Sequence, residues 1–363
     1  MQRRQFIKHG GIAGVLAGGT APAFAQNAPI KWRLASSYPK TLDTLIAAVE
    51  MVARRTAELT NNRFQIQVFG PGEIVPALQV LDAVQNGTVE AGHSASYFYI
   101  GKDPAFGFGT AVPFGMNTRQ QNAWLYLGGG IELLNDFYKK YGVLSFPVGN
   151  TGAQMGGWFR KEIKTVADLK GLKMRIGGLG GMVLSKLGVV PQQIGGGDLY
   201  PALEKGVIDS AEWVAPYDDE RLGLQKIAKY YYYPGWWEGS ATLNFWVNQK
   251  PWNALPKEFQ QVVQVACAEA NQWMTAKYDA GNPAALKRLV AAGTQLRQFS
   301  RPIMEASYKA ANQMYDEFNA KSPDFKKIHD HYMKFRDEQI LWSRVCEEGF
   351  DNFMAYISQQ KKA

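Results

Sequence analysis

Between Ile30 and Ser96, short runs that alternate apolar and polar residues take turns with longer runs whose apolar residues recur every three or four positions. The first pattern puts one face of a strand in a core, and the second does the same for one face of a helix. Ile30 to Ala35 therefore predicts a strand. Leu42 to Leu59 predicts a helix through Leu45, Val49 and Val52, and Phe64, Ile66 and Val68 share one face of a second strand. Pro76 to Gln85 predicts a helix that Gly87 ends, ahead of a third strand from Val89 to Ser94. Strands alternating with helices in this way form a parallel sheet covered by helices.

The same order returns downstream. Thr165 is placed to cap a short helix through Lys170, Gly171 stops it, and Leu172 to Ile176 predicts a strand. Asp198 opens a helix containing Pro201, Ala202 and Leu203, Gly206 closes it, and Val207 to Val214 predicts another strand. Pro76-Ala77-Leu78 leads to Asn86-Gly87-Thr88-Val89-Glu90 much as Pro201-Ala202-Leu203 leads to Lys205-Gly206-Val207-Ile208-Asp209. The echo predicts an α/β chain of two lobes of like topology, with strand ends facing across a cleft where open α/β sheets bind ligands. Helix-glycine-strand units occur throughout α/β proteins, so the echo alone does not fix two lobes. After Pro323 the chain reads as a long helical arm. Phe325, Ile328, Tyr332, Phe335, Trp342, Val345, Phe350, Phe353 and Ile357 make an apolar stripe on it, to be covered either by the chain itself or by a second subunit.

The first twenty-five residues change the setting. Arg3 and Arg4 begin an Arg-Arg-Gln-Phe-Ile-Lys run, a Gly/Ala-rich stretch follows from Gly10 to Thr20, and Ala23-Phe24-Ala25 offers a cleavage site. That order reads as a twin-arginine export signal, with a periplasmic protein beginning at Gln26. Taking 25 from 363 leaves 338 residues, more than one compact core usually holds. Losing Arg3, Arg4 and Lys8 lowers the net charge from +8 to +5, and no Lys/Arg-rich run marks a nucleic-acid surface. Two cysteines, Cys267 and Cys346, exclude a disulfide scaffold and a four-thiolate metal site within the chain. Their apolar neighbours favour two buried thiols over one disulfide.

Enzyme signatures fail in turn. His329 and His331, two apart on a helix, point to different faces. Gly92-His93-Ser94-Ala95-Ser96 lacks the second glycine of a nucleophile elbow. Gly177-Gly178-Leu179-Gly180-Gly181 puts Val183 where a dinucleotide fingerprint needs its third glycine, and it lacks the Lys-Ser/Thr of a P-loop. A helix N-terminus there still suits a small carboxylate. Arg175, near the end of a predicted strand, offers a planar fork to a ligand carboxylate or else a salt bridge to an acid such as Asp209. Glu212 and Glu238, each beside tryptophan at the end of an apolar stretch, either share a hard cation in a cleft or pair with nearby bases. The aromatic clusters Tyr97-Phe98-Tyr99, Tyr230 to Tyr233 and Trp236-Trp237 suit a water-excluding cleft and equally a core.

The segment Ile163 to Ile176, Ile-Lys-Thr-Val-Ala-Asp-Leu-Lys-Gly-Leu-Lys-Met-Arg-Ile, resembles the hallmark of the solute-binding subunits of TRAP transporters, the DctP family. The likeness runs over essentially the whole chain from Gln26. Gly195 to Asp219, with Ala211-Glu212-Trp213-Val214-Ala215-Pro216-Tyr217-Asp218-Asp219, is similar to the subgroup that binds 2-oxo acids and lactate. The resemblance implies a two-lobed periplasmic-binding-protein architecture with a ligand cleft and a long C-terminal helix. It divides the chain into residues 26–150 plus about 240–279, residues 151–239 plus about 280–320, and a C-terminal arm over 321–363. By the same resemblance Arg175 clamps the ligand carboxylate. Gln154, Glu212, Glu238 and the carbonyl of Trp213 hold sodium or calcium against the ligand's keto or hydroxyl oxygen, and Tyr97 or Tyr99 approaches from the other lobe. The implied partners are a membrane permease and a second copy joined through the C-terminal helix. Where dicarboxylate and sialic-acid binders carry a Gly-Gln-Glu-Asn-like run, this chain has Ser210-Ala211-Glu212-Trp213. That departure argues against a dicarboxylate or a sugar acid and leaves the particular monocarboxylate open; the expectation is a 2-oxo or 2-hydroxy monocarboxylate such as pyruvate. A periplasmic enzyme or sensor subunit acting on a carboxylic acid is the alternative.

Overall fold

A computed structural model describes residues 28–360, so the export segment expected over residues 1–25 lies outside the described residues. Within them run strands β1 (Ile30–Ser36), β2 (Phe64–Phe69), β3 (Ala91–Ser94), β4 (Val143–Asn150), β5 (Trp158–Phe159) and β6 (Lys173–Arg175). β7 (Val190–Gln192), β8 (Ser210–Ala211), β9 (Tyr230–Tyr233), β10 (Thr242–Asn248) and β11 (Gln295–Gln298) follow. They form two sheets, one in the order β2-β1-β3-β10-β4 and one in the order β11-β9-β5-β8-β6-β7.

The echo in the sequence has a structural counterpart. β1 lies between β2 and β3 and pairs parallel with both; β6 lies between β7 and β8 and does the same. Helix Asp43–Leu59 links β1 to β2 and buries Leu45, Val49 and Val52, the residues its period marks. In the second sheet, helix Gly178–Lys186 links β6 to β7 and helix Gly196–Glu204 lies between β7 and β8. Gly87 and Gly206, which end the two echoed helices, stand at φ +73° and +71°. Side chains with a Cβ rarely adopt that region, which is why the stop falls on glycine both times. Thr165 caps its short helix as expected, its N–H and hydroxyl both bonding Asp168 Oδ2, at 2.8 and 3.0 Å.

Several boundaries differ from the sequence pattern. The strand expected over Val207 to Val214 is only β8, because the chain turns out of the sheet once its residues begin to serve the cleft. The helix expected from Pro76 begins as a 3-10 turn over Ala77–Gln79 before the α-helix Val80–Gln85. The chain passes from the first sheet to the second between β4 and β5 and returns between β9 and β10. A 35-residue helix, Lys257–Ala291, then packs along helix Asp43–Leu59 and β4 before reaching helix Pro216–Leu222 beside the second sheet. The division expected near residue 279 falls inside this helix.

The C-terminal arm is two helices, Pro323–Cys346 and Glu348–Gln360. Its stripe is split: Phe325, Ile328 and Tyr332 are buried on the body, whereas Leu341, Trp342, Val345, Phe350 and Phe353 are between 55% and 80% exposed. Cys267 is buried and Cys346 only half-buried, both as free thiols. Among the described residues no helix is long and apolar enough to cross a membrane.

Candidate functional site

The carboxyl ends of the two parallel strand sets face one another. Tyr38 follows β1, Tyr97 and Phe98 follow β3, and across from them lie Arg175, the last residue of β6, and Trp213 and Val214, which follow β8. The two sheet crossings contribute Thr151, Gln154 and Ala241, and Leu45 and Leu243 complete the wall. Together they surround about 280 Å³ of unfilled space, part of it open to solvent. Thr151 ties the crossings together, its hydroxyl oxygen accepting from Gln154 Nε2 at 2.9 Å and from the Ala241 N–H at 3.1 Å.

Arg175 is 1% exposed, and its guanidinium lies 4.7 Å from the centre of a Trp213 ring. Nε donates to the Ile194 carbonyl at 3.2 Å, and Nη1 donates to the Glu212 carbonyl at 2.6 Å and to Glu212 Oε1 at 2.5 Å. Nη2 has no protein partner among the described residues. The acid that meets Arg175 is thus Glu212. Asp209 instead accepts from the Lys173 N–H at 3.0 Å. The Trp213 indole packs on Gly196, where a Cβ would stand 2.5 Å from the ring, so glycine leaves it room beside the guanidinium.

Glu212 and Glu238 are 0% and 3% exposed. Burial raises both carboxyls above their usual range, and Arg175 pulls against that shift; Glu238 is raised further by repulsion from Glu212. One guanidinium therefore serves two buried acids. Three acceptor oxygens at this place, Glu212 Oε2, Glu238 Oε2 and Gln154 Oε1, are buried with no donor in hydrogen-bond geometry, although Trp237 lies near Glu212, and Gln154 and Tyr97 lie near Glu238. Orphaned buried acceptors cost free energy, and donors or a cation remove that cost. An oxygen-only set of carboxylates and an amide suits a hard cation such as sodium or calcium. Among the described residues, no three or more His, Cys, Asp or Glu gather around a metal position, so the set rests on two acids completed by neutral oxygens.

Of the residues singled out in the sequence, Gln154, Tyr97, Arg175 and Trp213 line the cavity, Glu212 is bonded to Arg175, and Glu238 is buried within reach of its charge. Tyr99 faces away from it: its hydroxyl donates to Ser94 Oγ at 3.0 Å and accepts from the Leu81 N–H at 3.0 Å. The glycine run already directs one backbone N–H at a carboxylate of the chain itself. The Gly177 N–H donates to Glu212 Oε1 at 3.3 Å, and a Cβ on Gly177 would come 2.4 Å from the Tyr97 ring. The glycines let the two sides of the cleft touch. Sequence reasoning missed Tyr38, Thr151 and Ala241, which no local motif distinguishes. Tyr230 to Tyr233 turns out to be β9, with Tyr231 and Tyr232 in the core, and Trp236 and Trp237 are buried beside it.

The remaining chemistry-bearing groups are accounted for as structure. His93 is fully buried on β3 beside Ser36 Oγ at 3.0 Å, and burial lowers its pKa to about 3. His329 sits among Phe325 and Tyr315, and His331 accepts from Trp124 Nε1 at 3.0 Å. Asp219 Oδ1 accepts from the Val214 N–H at 3.1 Å, and Oδ2 accepts from Trp158 and Tyr231, which fixes the loop carrying Trp213.

The sequence profile of the bacterial extracellular solute-binding proteins, family 7, or DctP, matches residues 35–322. The monocarboxylate 2-oxoacid-binding periplasmic protein of Nostoc sp. is 54% identical over 324 residues, 89% of each chain. A TRAP transporter solute-binding protein of Bordetella bronchiseptica has a TM-score of 0.90 at 50% identity, over 92% of this chain and all of its own. Its structure is a mixed-occupancy dimer with calcium and picolinate in one active site. A TRAP periplasmic solute-binding protein of Pseudoalteromonas atlantica, holding sodium and pyruvate, has a TM-score of 0.87 at 41% identity, over 89% of this chain and 99% of its own.

Proposed function

Because the chain belongs to family 7 of the bacterial extracellular solute-binding proteins, we propose that its cavity takes a small 2-oxo or 2-hydroxy monocarboxylate together with a cation. It is a periplasmic solute-binding protein of the TRAP type. The observation that carries the ligand reading is the buried group of Arg175, Glu212 and Glu238 with its three orphaned oxygens. Arg175 Nη2 offers a donor to the ligand carboxylate. Gln154, Glu212, Glu238 and the Trp213 carbonyl hold the cation, and the cation supplies a positive charge for the ligand's second oxygen. Both glutamates and the ligand carboxylate carry three negative charges against one on Arg175, so a divalent ion completes the charge balance and calcium is favoured over sodium. The pyruvate and picolinate bound by the related proteins pair a carboxylate with an adjacent oxygen or nitrogen, in keeping with this arrangement.

We assign the lobes to residues 26–150 with about 240–279 and to 151–239 with about 280–320, closing on the anion and presenting the closed surface to the membrane permease. Arg3 and Arg4 direct export by the twin-arginine route. The exposed stripe from Leu341 to Phe353 suits a second copy of the chain. Trp342→Glu with Val345→Glu then yields monomers in light scattering, and an unchanged mass would remove this reading. We assign no turnover to the site. The test of the ligand is thermal unfolding with a panel of 2-oxo, 2-hydroxy and dicarboxylic acids, followed by recovery of the ligand. Stabilisation confined to short 2-oxo or 2-hydroxy acids, returned unchanged, supports the proposal. A shift with dicarboxylates alone, or conversion of the ligand, would refute it.

A further inference from the structure

At the rim of the cleft, away from the ligand-facing groups, the first turn of helix Asp43–Leu59 meets helix Pro216–Leu222. Asp43 Oδ1 lies 2.5 Å from Arg221 Nη1, Asp43 Oδ2 lies 3.2 Å from Lys277 Nζ, and the Tyr217 hydroxyl donates to Asp43 Oδ2 at 3.3 Å. Arg221 also donates to the Tyr217 hydroxyl at 2.9 Å and lies over its ring at 4.4 Å. Burial works against the Asp43 charge, yet Lys277 and Arg221 hold its carboxyl below the usual value.

What sets this cluster apart from the other surface pairs is the elements it joins. Helix Pro216–Leu222 is pinned to the far half of helix Lys257–Ala291 at three places. The Tyr278 hydroxyl donates to Asp218 at 2.7 Å, the Tyr217 N–H donates to Asn282 at 3.0 Å, and Arg288 pairs with Glu220 at 2.6 Å. Helix Asp43–Leu59 is pinned to the near half, where Arg55 pairs with Glu269 at 2.6 Å. Asp43 and Arg221 are thus one contact between an element of the first sheet and one of the second, beside others such as the bond from Gln193 Nε2 to the Phe98 carbonyl at 2.9 Å. Leu45, two residues on, lines the ligand cavity, whereas neither Asp43 nor Arg221 does. The side chains of Asp43 and Arg221 are 42% and 37% exposed, so solvent and salt weaken the pair and it can break on every opening.

We propose that Asp43, Arg221 and Tyr217 form a latch that holds the two sides of the cleft together and sets how long a ligand stays, without touching the ligand. The proposal rests on the reading that a ligand is held between the two sides. Because the pair is made only while the two sides are together, losing it favours opening and so acts on ligand release.

The test is stopped-flow dissociation of pyruvate from the calcium-loaded full chain and from Asp43→Asn, Arg221→Gln and the double variant. The expected result is dissociation faster by up to about fivefold in each single variant, with little added by the second substitution. Association should be unchanged. Raising the salt should speed wild-type release while leaving Asp43→Asn nearly indifferent. Unchanged dissociation in both single variants, or effects that simply multiply in the double variant, would overturn the latch. Should wild type bind neither pyruvate nor any other short acid, the ligand reading fails separately. X-ray scattering of the ligand-free chains then decides: a larger radius of gyration in Asp43→Asn supports the latch, and equal radii overturn it.

Discussion

Replacing Glu238 by Gln separates a carboxylate kept for a cation from one kept for the fold. The carboxylate is 3% exposed, Oε2 has no donor, and Glu212 repels it. Glutamine keeps the shape, removes the charge and adds an N–H₂ group near the Gln154 side chain, whose Oε1 is itself without a donor. A buried polar group without a partner costs about 1–3 kcal/mol, so the cation-free variant should gain stability of that order. At roughly 2 °C per kcal/mol for a chain of this size, its midpoint should rise by about 2–6 °C. With ligand the sign reverses. Losing one charged partner from a buried site costs about 2–5 kcal/mol, a weakening of roughly thirtyfold or more. The assay is thermal unfolding of wild type and Glu238→Gln in chelator, then with calcium and pyruvate. The variant should be more stable in chelator and should lose the ligand shift. A variant destabilised in chelator that keeps the wild-type shift would refute the cation role of Glu238.

Further outcomes follow from neighbouring residues. Arg175→Ala should abolish ligand binding, and because Glu212 is left buried without its cation it should also cost about 3–5 kcal/mol in urea unfolding; Arg175→Ala with Glu212→Gln should recover most of that stability but no binding. Gly177→Ala places a methyl group 2.4 Å from the Tyr97 ring and should weaken pyruvate affinity in calorimetry by propping the cleft open, with little change in unfolding of the empty protein. Burial raises the Asp218 carboxyl to about 7, so the folded state keeps a proton that the unfolded chain loses near pH 4. Stability should therefore fall as pH rises from about 4 to about 7, and Asp218→Asn should flatten that slope in urea midpoints. An equal slope in the variant would count against the assignment.

How much of this was legible in the sequence depended on distance along the chain. β1, its helix and β2 could be read because period and burial are local properties, and Gly87 and Gly206 stood out because a left-handed residue is a local demand. Arg175 and the two glutamates could be singled out one by one. That Glu212, and not Asp209, meets Arg175 depends on the turn that takes the chain out of β8, which no periodicity encodes. Tyr99 was grouped with Tyr97 on sequence proximity, yet a 3-10 turn over Ser96–Tyr99 sends the two rings to opposite sides. Thr151 and Ala241 are 90 residues apart and meet only because the chain crosses between the sheets and returns. The apolar stripe of the C-terminal arm was visible as a stripe. Where burial stops along it, between Tyr332 and Leu341, depends on where the body of the protein ends.

Carboxylate and cation share one site built on Arg175, Glu212 and Glu238. The most direct test of that sharing is calorimetric titration of pyruvate into the ligand-stripped protein, once with calcium and once in a sodium-free potassium buffer with chelator. One-to-one binding is expected with calcium, and an affinity at least about thirtyfold lower without it, the loss that follows when a buried charge partner is removed. Equal affinity in the two buffers would contradict a shared site.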